Sequence, residues 1–516
     1  MFKNYLKIAY RNLVRYKGYS LINISGLAMG IACCIVILLW VQHELSYDRF
    51  HENTGQIYRA AYRSKDGSDY GIHLPGPLGA FLKNNYPEIK DATYYKHWTT
   101  KISFNKKSFL STGSYVDPSF FKMFTFPFIK GNPETALSQP RSIVITEDLA
   151  KKFFGNDDPL GKQVTFYSFS IGVDLKVTGV IKNIPWNSHI QFDYLIPYKI
   201  GYDWMKTWKN NSGYTYVLLH KNTSYHQVNQ KISNVLNLYR PEHETNLFLQ
   251  PLKRIHLYAL EGVGRITYIY IFSAMGLLVL LIACINFMNL STARYDKRFK
   301  EIAVKKVVGS KRIQLINQFL SESLLMSVLA LFLAVFLVEL LLPSINAMLG
   351  TQLNLNHSPI VILSLLGMML FTGILAGSYP ALFLSSFPPA AVLKGKRSYI
   401  RVSGRKFNFP LRKVLVVAQF TLSIFFVVCV MVIYHQLDYL KNRNLGFEKD
   451  NIVIVQSTGD LKKKSRAIKD ELLKNPGIKS VAFSAFSLLD WESAESSVRA
   501  NWPGKTTGDN FIIGNN

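Results

Sequence analysis

Five stretches of the chain carry no charge or almost none, and the other segments are arranged around them. Ser20–Val41 is 22 residues long without Asp, Glu, Lys or Arg, and Trp40 stands at its end, where an aromatic suits a membrane interface. Ile266–Leu290, Ser323–Leu342, Ile360–Leu384 and Val414–Tyr434 repeat the pattern, with Glu339 the single acid among them. Each is long enough for a helix to cross the hydrocarbon core of a bilayer. Pro343 is expected to end the third span, leaving 343–359 as an uncharged connecting loop.

Between the first and second spans, residues 42–265 show no such run and read as mixed α and β. Arg141–Thr146 has the pattern of a short strand; Thr146 then stands as N-cap of a helix with Glu147 and Asp148 in its first turn and Gly155 as its stop. Lys162–Phe166 and Asp174–Val180 alternate as strands do. Pro77–Tyr86 reads as a short helix and Asp91–Tyr95 as the strand after it. The predicted class is a polytopic α-helical membrane protein with a large α+β extracytoplasmic domain.

At the start, Lys3, Lys7, Arg11 and Arg15 recur every four residues beside a face of Phe2, Leu6, Ala9 and Leu13. That pattern predicts an amphipathic basic helix over 1–19, lying on the membrane surface. The net charge of +27 is concentrated: residues 1–20, 291–322 and 385–413 together hold +18 of it. Basic segments beside apolar spans belong on the cytoplasmic side, so the expected topology has the N-terminus in the cytoplasm and both large hydrophilic regions outside. Charge placed this way argues against a nucleic-acid footprint. All four cysteines fall inside apolar runs, which leaves the hydrophilic regions without a disulfide framework.

Residues 435–516 echo the beginning. Leu437-Asp438-Tyr439 follows the fifth span as Leu45-Ser46-Tyr47 follows the first, and Leu473–Lys479 echoes Leu82–Lys90, at an offset of about 390 residues. A second domain of the same kind is therefore expected to begin near His435, with the chain ending inside it.

The segment 291–323 has the pattern of ordered helix: Glu301 and Lys305 are four apart in the favourable order, and Gly309-Ser310 reads as a helix stop followed by a new N-cap. Gly26-x-x-x-Gly30 marks either a close helix contact or simple tolerance of glycine in a span, and Gly373-x-x-x-Gly377 permits close packing in the fourth. Asn286 and Asn289 read as interhelical hydrogen-bonding groups rather than a transport site. Gly155–Lys162 imitates a phosphate loop, but Gln163 stands where a magnesium-binding Ser or Thr is required. The histidines show no H-E-x-x-H and no paired metal spacing. The sequence thus offers no catalytic, cofactor or metal residues.

Four stretches resemble one family. They are Arg11-Asn12-Leu13 through Glu44-Leu45-Ser46-Tyr47-Asp48-Arg49-Phe50-His51; Val116-Asp117-Pro118-Ser119-Phe120-Phe121 continuing through Ser142–Gly161; Ala283–Ser291 with Glu301–Gly309; and Gly377-Ser378-Tyr379-Pro380-Ala381. Together they resemble the permease subunits of MacB/FtsX-like ATP-binding-cassette transporters, and more narrowly the long two-repeat permeases of Bacteroidetes-type bacteria. The resemblance implies a MacB-type periplasmic core domain over 42–265, with its second copy only begun. It implies that a short cytoplasmic helix between spans two and three touches a separate ATPase. That helix maps onto Lys297, Lys300, Glu301, Ile302, Ala303, Val304, Lys305, Lys306, Val307, Val308, Gly309 and Ser310. ATP and magnesium then belong to the partner subunit, and this chain is not an enzyme. A periplasmic adaptor, an outer-membrane channel, membrane lipid and a permease dimer or pseudo-dimer complete the implied partners, in a bacterial inner membrane. The implied activity is export of an antibiotic, peptide or lipid-like molecule; the competing expectation is a signalling protein that transmits force without moving a substrate.

Overall fold

The computed structural model describes residues 2–67, 69–168, 171–241, 244–260, 262–293, 302, 304–355, 359–385, 411–443, 451–455, 464–483, 497–499 and 512–514. The chain forms two compact units. One comprises Met1–Phe50, Trp186–His189 and Lys253–Arg443; the other comprises His51–Pro185, Ile190–Leu252 and Asn444–Asn516.

The first unit is helical. Its elements are α1 (Phe2–Arg15), α2 (Lys17–Leu45), α3 (Arg265–Ala293), α4 (Arg312–Leu349), α5 (Pro359–Ser385) and α6 (Leu411–Asn442). From α2 onward each is long and apolar enough to cross a membrane. Tyr16, with φ −120° and ψ 59°, breaks the helix between basic α1 and apolar α2. Helices α2 and α3 run antiparallel: Tyr19 meets Ser291 at one end, Cys34 Sγ donates to the Gly276 carbonyl at 3.0 Å, and Trp40 packs edge-on to Phe272 near the other end. Leu27, Ile31 and Ile35 of α2, Cys284 and Phe287 of α3 and Ala330 of α4 share one buried core. A Cβ added at Gly30 would lie 2.7 Å from the Ala283 Cβ, so glycine sets that helix spacing, whereas one at Gly26 would meet Asn286 at an ordinary 3.5 Å. Gly373 and Gly377 of α5 lie against Leu324 and Ser323 of α4 just as closely.

The third span departs from the sequence expectation at Pro343. Helix α4 passes through that proline and ends at Gly350, whose φ of +62° provides the left-handed stop. Proline removes one hydrogen bond, and the long flanking turns carry the helix past it. Asn346 then fastens the loop, donating to the Leu353 carbonyl and accepting its N–H at 2.8 Å.

The second unit is built on strands β1 (Ile57–Ser64), β2 (Tyr70–Gly71), β3 (Ile89–Phe104), β4 (Lys107–Val116), β5 (Phe128–Gly131) and β6 (Ser142–Thr146). They continue with β7 (Gln163–Ser168), β8 (Ile171–Ile181), β9 (Tyr194–Pro197), β10 (Tyr214–Leu219) and β11 (Thr245–Pro251). The sheet order is β11-β1-β10-β3-β4-β9-β6-β8-β5, with β2 on β1 and β7 joined to β3 and β8. Pairs β4–β9 and β6–β8 are parallel and the others antiparallel. Helices Leu78–Asn85 and Tyr225–Ile232 cover a core around Leu78, Val217 and Leu249, while Glu147–Phe154 covers another around Ile145, Phe166 and Val177.

The expected strand Asp91–Tyr95 is only the first part of β3. It continues to Phe104 and turns at Asn105 (φ 53°) into β4, a hairpin whose polar sequence concealed it. Thr146 stands at the N-cap of its helix without a side-chain bond; the Asp148 N–H donates instead to Asn183 Oδ1 at 3.0 Å. Gly155–Lys162 is a surface turn held by Lys162 to Asp157 at 2.9 Å. Of the echo of the chain's beginning, Leu437-Asp438-Tyr439 lies within α6, and Leu473–Lys479 starts at the last residue of helix Ser465–Leu473. Beyond it strands Ser497–Arg499 and Ile512–Gly514 pair, and residues 444–450, 456–463, 484–496, 500–511 and 515–516 of the expected second domain lie outside the described residues.

Candidate functional site

Two polar assemblies stand at opposite ends of α2, both within the helical unit. The first lies beside its N-terminal end. Residues 302 and 304–307 are helical, and Gly309 (φ +99°) ends the turn. The Ser310 N–H donates to the Lys305 carbonyl and the Gly309 N–H to that of Lys306, the paired closure that a left-handed glycine allows. Because Ser310 is used there, the N-cap of α4 falls one residue later than the sequence predicts, at Lys311, whose N–H donates to Gln314 Oε1 at 2.9 Å.

This short turn is fastened from beneath. Ile302 is buried with Leu315, Phe319 and Ala381. Lys305 Nζ donates to Gln318 Oε1 at 3.1 Å, and Lys306 Nζ to the Ser385 carbonyl at 2.6 Å. Arg312 Nε reaches Ser385 Oγ at 3.3 Å. Burial, with the charge of Arg312 beside it, lowers the pKa of Lys306. Glu322 is buried in α4 and accepts from Asn12 Nδ2 of α1 at 2.6 Å, so α1 joins the same group. Asn12, Ile302, Lys305, Gln318 and Glu322 line one small crevice. Among the described residues of the turn, Val304, Val307 and Val308 face outward, 57%, 63% and 82% exposed. Lys305 and Lys306, two members of the expected coupling helix, direct their bonds to α4 and α5. Lys297, Lys300, Glu301 and Ala303 lie outside the described residues.

The second assembly closes the other end. Glu44 is 3% exposed, with Oε2 2.7 Å from His256 Nε2 and 3.4 Å from Nη1 of Arg265, the first residue of α3. Tyr47 stacks on His256 at 3.4 Å, and His43 stacks on Trp186 at 3.9 Å. Asp48, fully buried and in the left-handed region (φ 57°), accepts the His189 N–H at 3.0 Å and lies 2.8 Å from His189 Nδ1. The Asp48 N–H donates to the Asn187 carbonyl at 2.8 Å, and Asn187 Nδ2 donates to that of Ser46 at 3.1 Å. Sequence reasoning missed this knot because it tested the histidines only for metal spacing. The available signal was the run of polar and aromatic residues, Glu44 to Asp48, directly after an apolar span. Among the described residues no cluster of His, Cys, Asp or Glu is arranged to hold a metal ion.

Between the two ends, Asn289 Nδ2 of α3 donates to Gln419 Oε1 of α6 at 3.2 Å.

Two family models match the chain: a MacB-like periplasmic core domain over residues 20–235 and an FtsX-like permease C-terminal domain over 273–389. The uncharacterized ABC transporter permease YknZ of Bacillus subtilis (strain 168) is 20% identical over 336 residues, which is 63% of this chain and 82% of that protein. The macrolide export ATP-binding/permease protein MacB of Vibrio parahaemolyticus is also 20% identical, over 62% of this chain and 49% of its own length. The chain thus spans about half the length of that MacB relative. Among solved structures, the periplasmic region of MacB from Actinobacillus actinomycetemcomitans aligns with 38% of this chain and 90% of its own, at 15% identity and a TM-score of 0.29.

Proposed function

We propose that this chain, an ABC transporter permease of the MacB/FtsX type, couples ATP hydrolysis on a separate cytoplasmic ATPase subunit to conformational change in its periplasmic domain. The process served is export of an antibiotic, peptide or lipid-like molecule. In this reading the chain sits in the bacterial inner membrane with α1 and the turn at 302–310 in the cytoplasm, as the concentration of basic residues around those segments supports. It contributes no catalytic group; ATP and magnesium are held by the partner.

The observation that carries the reading is the build of that turn. Ile302, Lys305 and Lys306 bind it to α4 and α5, while Val304, Val307 and Val308 are left outward. A push on the valines therefore moves the ends of two spans, because a turn tied at three points cannot yield by itself. Exposed valines on a polar-backed turn suit an apolar pocket of a protein partner better than water. The test is co-purification of the cognate ATPase with Val304→Asp and Val308→Asp variants of the full chain. Loss of association with the protein still folded in the membrane is expected; retained association and transport would remove this turn as the docking element.

A further inference from the structure

The second assembly contains a segment whose chain neighbours on both sides belong elsewhere. Trp186–His189 groups with the helices, yet Pro185 before it and Ile190 after it belong to the sheet unit. Four residues thus leave the domain, grip the C-terminal end of α2, and return. The grip is specific: Trp186 stacks on His43, Asn187 exchanges bonds with Ser46 and Asp48, and His189 is held by the Asp48 carboxylate.

Connectivity shows what this adds. Past Phe50 the chain leads to β1, and α3 is reached from β11, which is the neighbour of β1 in the sheet. Both covalent routes from the spans therefore arrive at the same edge. Trp186–His189 joins β8 to β9 instead, farther along the sheet order, where β9 pairs with β4 and β6. Its tethers are short. Asp193, four residues after His189, is already fixed to Thr112 through its carboxylate and its backbone N–H. An extended residue spans at most about 3.6 Å, so a few residues leave little slack.

We propose that Trp186–His189 is a transmission strap: a positioning element that carries displacement of the α2 end into β8 and β9, while the covalent connections carry it into β1 and β11. This rests on the ATP-coupled reading above. The strap makes the domain respond at two separated parts of one sheet, so that a shift of α2 relative to α3 deforms the sheet rather than only translating it.

The test is hydrogen–deuterium exchange on the full chain in lipid nanodiscs with its cognate ATPase, with and without a non-hydrolysable ATP analogue. In the unmodified protein, exchange is expected to change at 304–310 and also at 171–181 and 194–197. Asp48→Gly removes the carboxylate while suiting the left-handed backbone, and Asn187→Ala removes a side-chain tie. Both should keep the nucleotide response at 304–310 and reduce that at β8 and β9 by at least about threefold. His189→Gln, which retains the backbone N–H to Asp48, should fall between and guards against a mere folding defect. An unchanged response at β8 and β9 in Asp48→Gly and Asn187→Ala overturns the strap and leaves ATP coupling standing. No response at 304–310 in the unmodified protein overturns ATP coupling, and the strap with it.

Discussion

The backbone N–H of Tyr94 donates to the Asp117 carboxylate at 2.7 Å, tying the strand β3 to the end of β4. Burial drives the Asp117 pKa up to about 6; the Tyr94 N–H opposes that rise and Asp91 adds to it. The folded state therefore binds more protons than the unfolded chain between roughly pH 4 and 6, and stability falls as pH rises through that window. The lost contribution is on the order of 3 kcal/mol at most. Asp117→Asn can still accept from Tyr94, so it should flatten this pH dependence and raise the unfolding midpoint at neutral pH. Thermal unfolding of both proteins from pH 4 to 7 checks this, and parallel curves would contradict it.

Gly30 and Gly26 share one motif but not one environment. A methyl at position 30 meets the Ala283 side chain below van der Waals distance, whereas at position 26 it meets Asn286 at an acceptable one. Gly30→Ala should therefore lower stability by about 1–3 kcal/mol through overpacking, and Gly26→Ala should be close to neutral. Denaturation in detergent measures the pair; equal effects would mean that the α2–α3 spacing is set elsewhere.

The number and placement of apolar helices were legible because long uncharged runs dominate everything near them. So was the short helix after Thr146, with its glycine stop. The β3–β4 hairpin was not: Trp98 to Val116 alternates weakly, and its order comes from cross-strand partners far from any local signal. The roles of Lys305 and Lys306 were also hidden. A lysine's charge is visible in sequence, but its carbonyl and amide acceptors, Ser385 and Gln318, sit on helices that only folding brings near. For the same reason the Glu44–His256 pair could not be found by spacing, since 212 positions separate its members.

Asn12 and Glu322 join the basic α1 to α4 through a part-buried hydrogen bond. Asn12→Ala leaves the carboxylate buried without that partner, which should lower stability by about 1–3 kcal/mol, whereas Glu322→Gln keeps an acceptor and should lower it less. Release of α1 should show as faster proteolysis within residues 2–15 in Asn12→Ala. Equal cleavage in the two variants and the unmodified chain would show that α1 is held by other contacts.

The bond from Asn289 to Gln419 is a polar tie between α3 and α6, and its value is limited by the medium. Within a bilayer the separated groups still find partners, so such bonds contribute about 0.6 kcal/mol on average and up to ~1.7. A double-mutant cycle with Asn289→Ala and Gln419→Ala should give a coupling energy in that range. Each single variant should lose nearly as much as the pair together, because either change breaks the same bond. Additive losses would instead assign the α3–α6 contact to packing alone, with Asn289 and Gln419 acting independently.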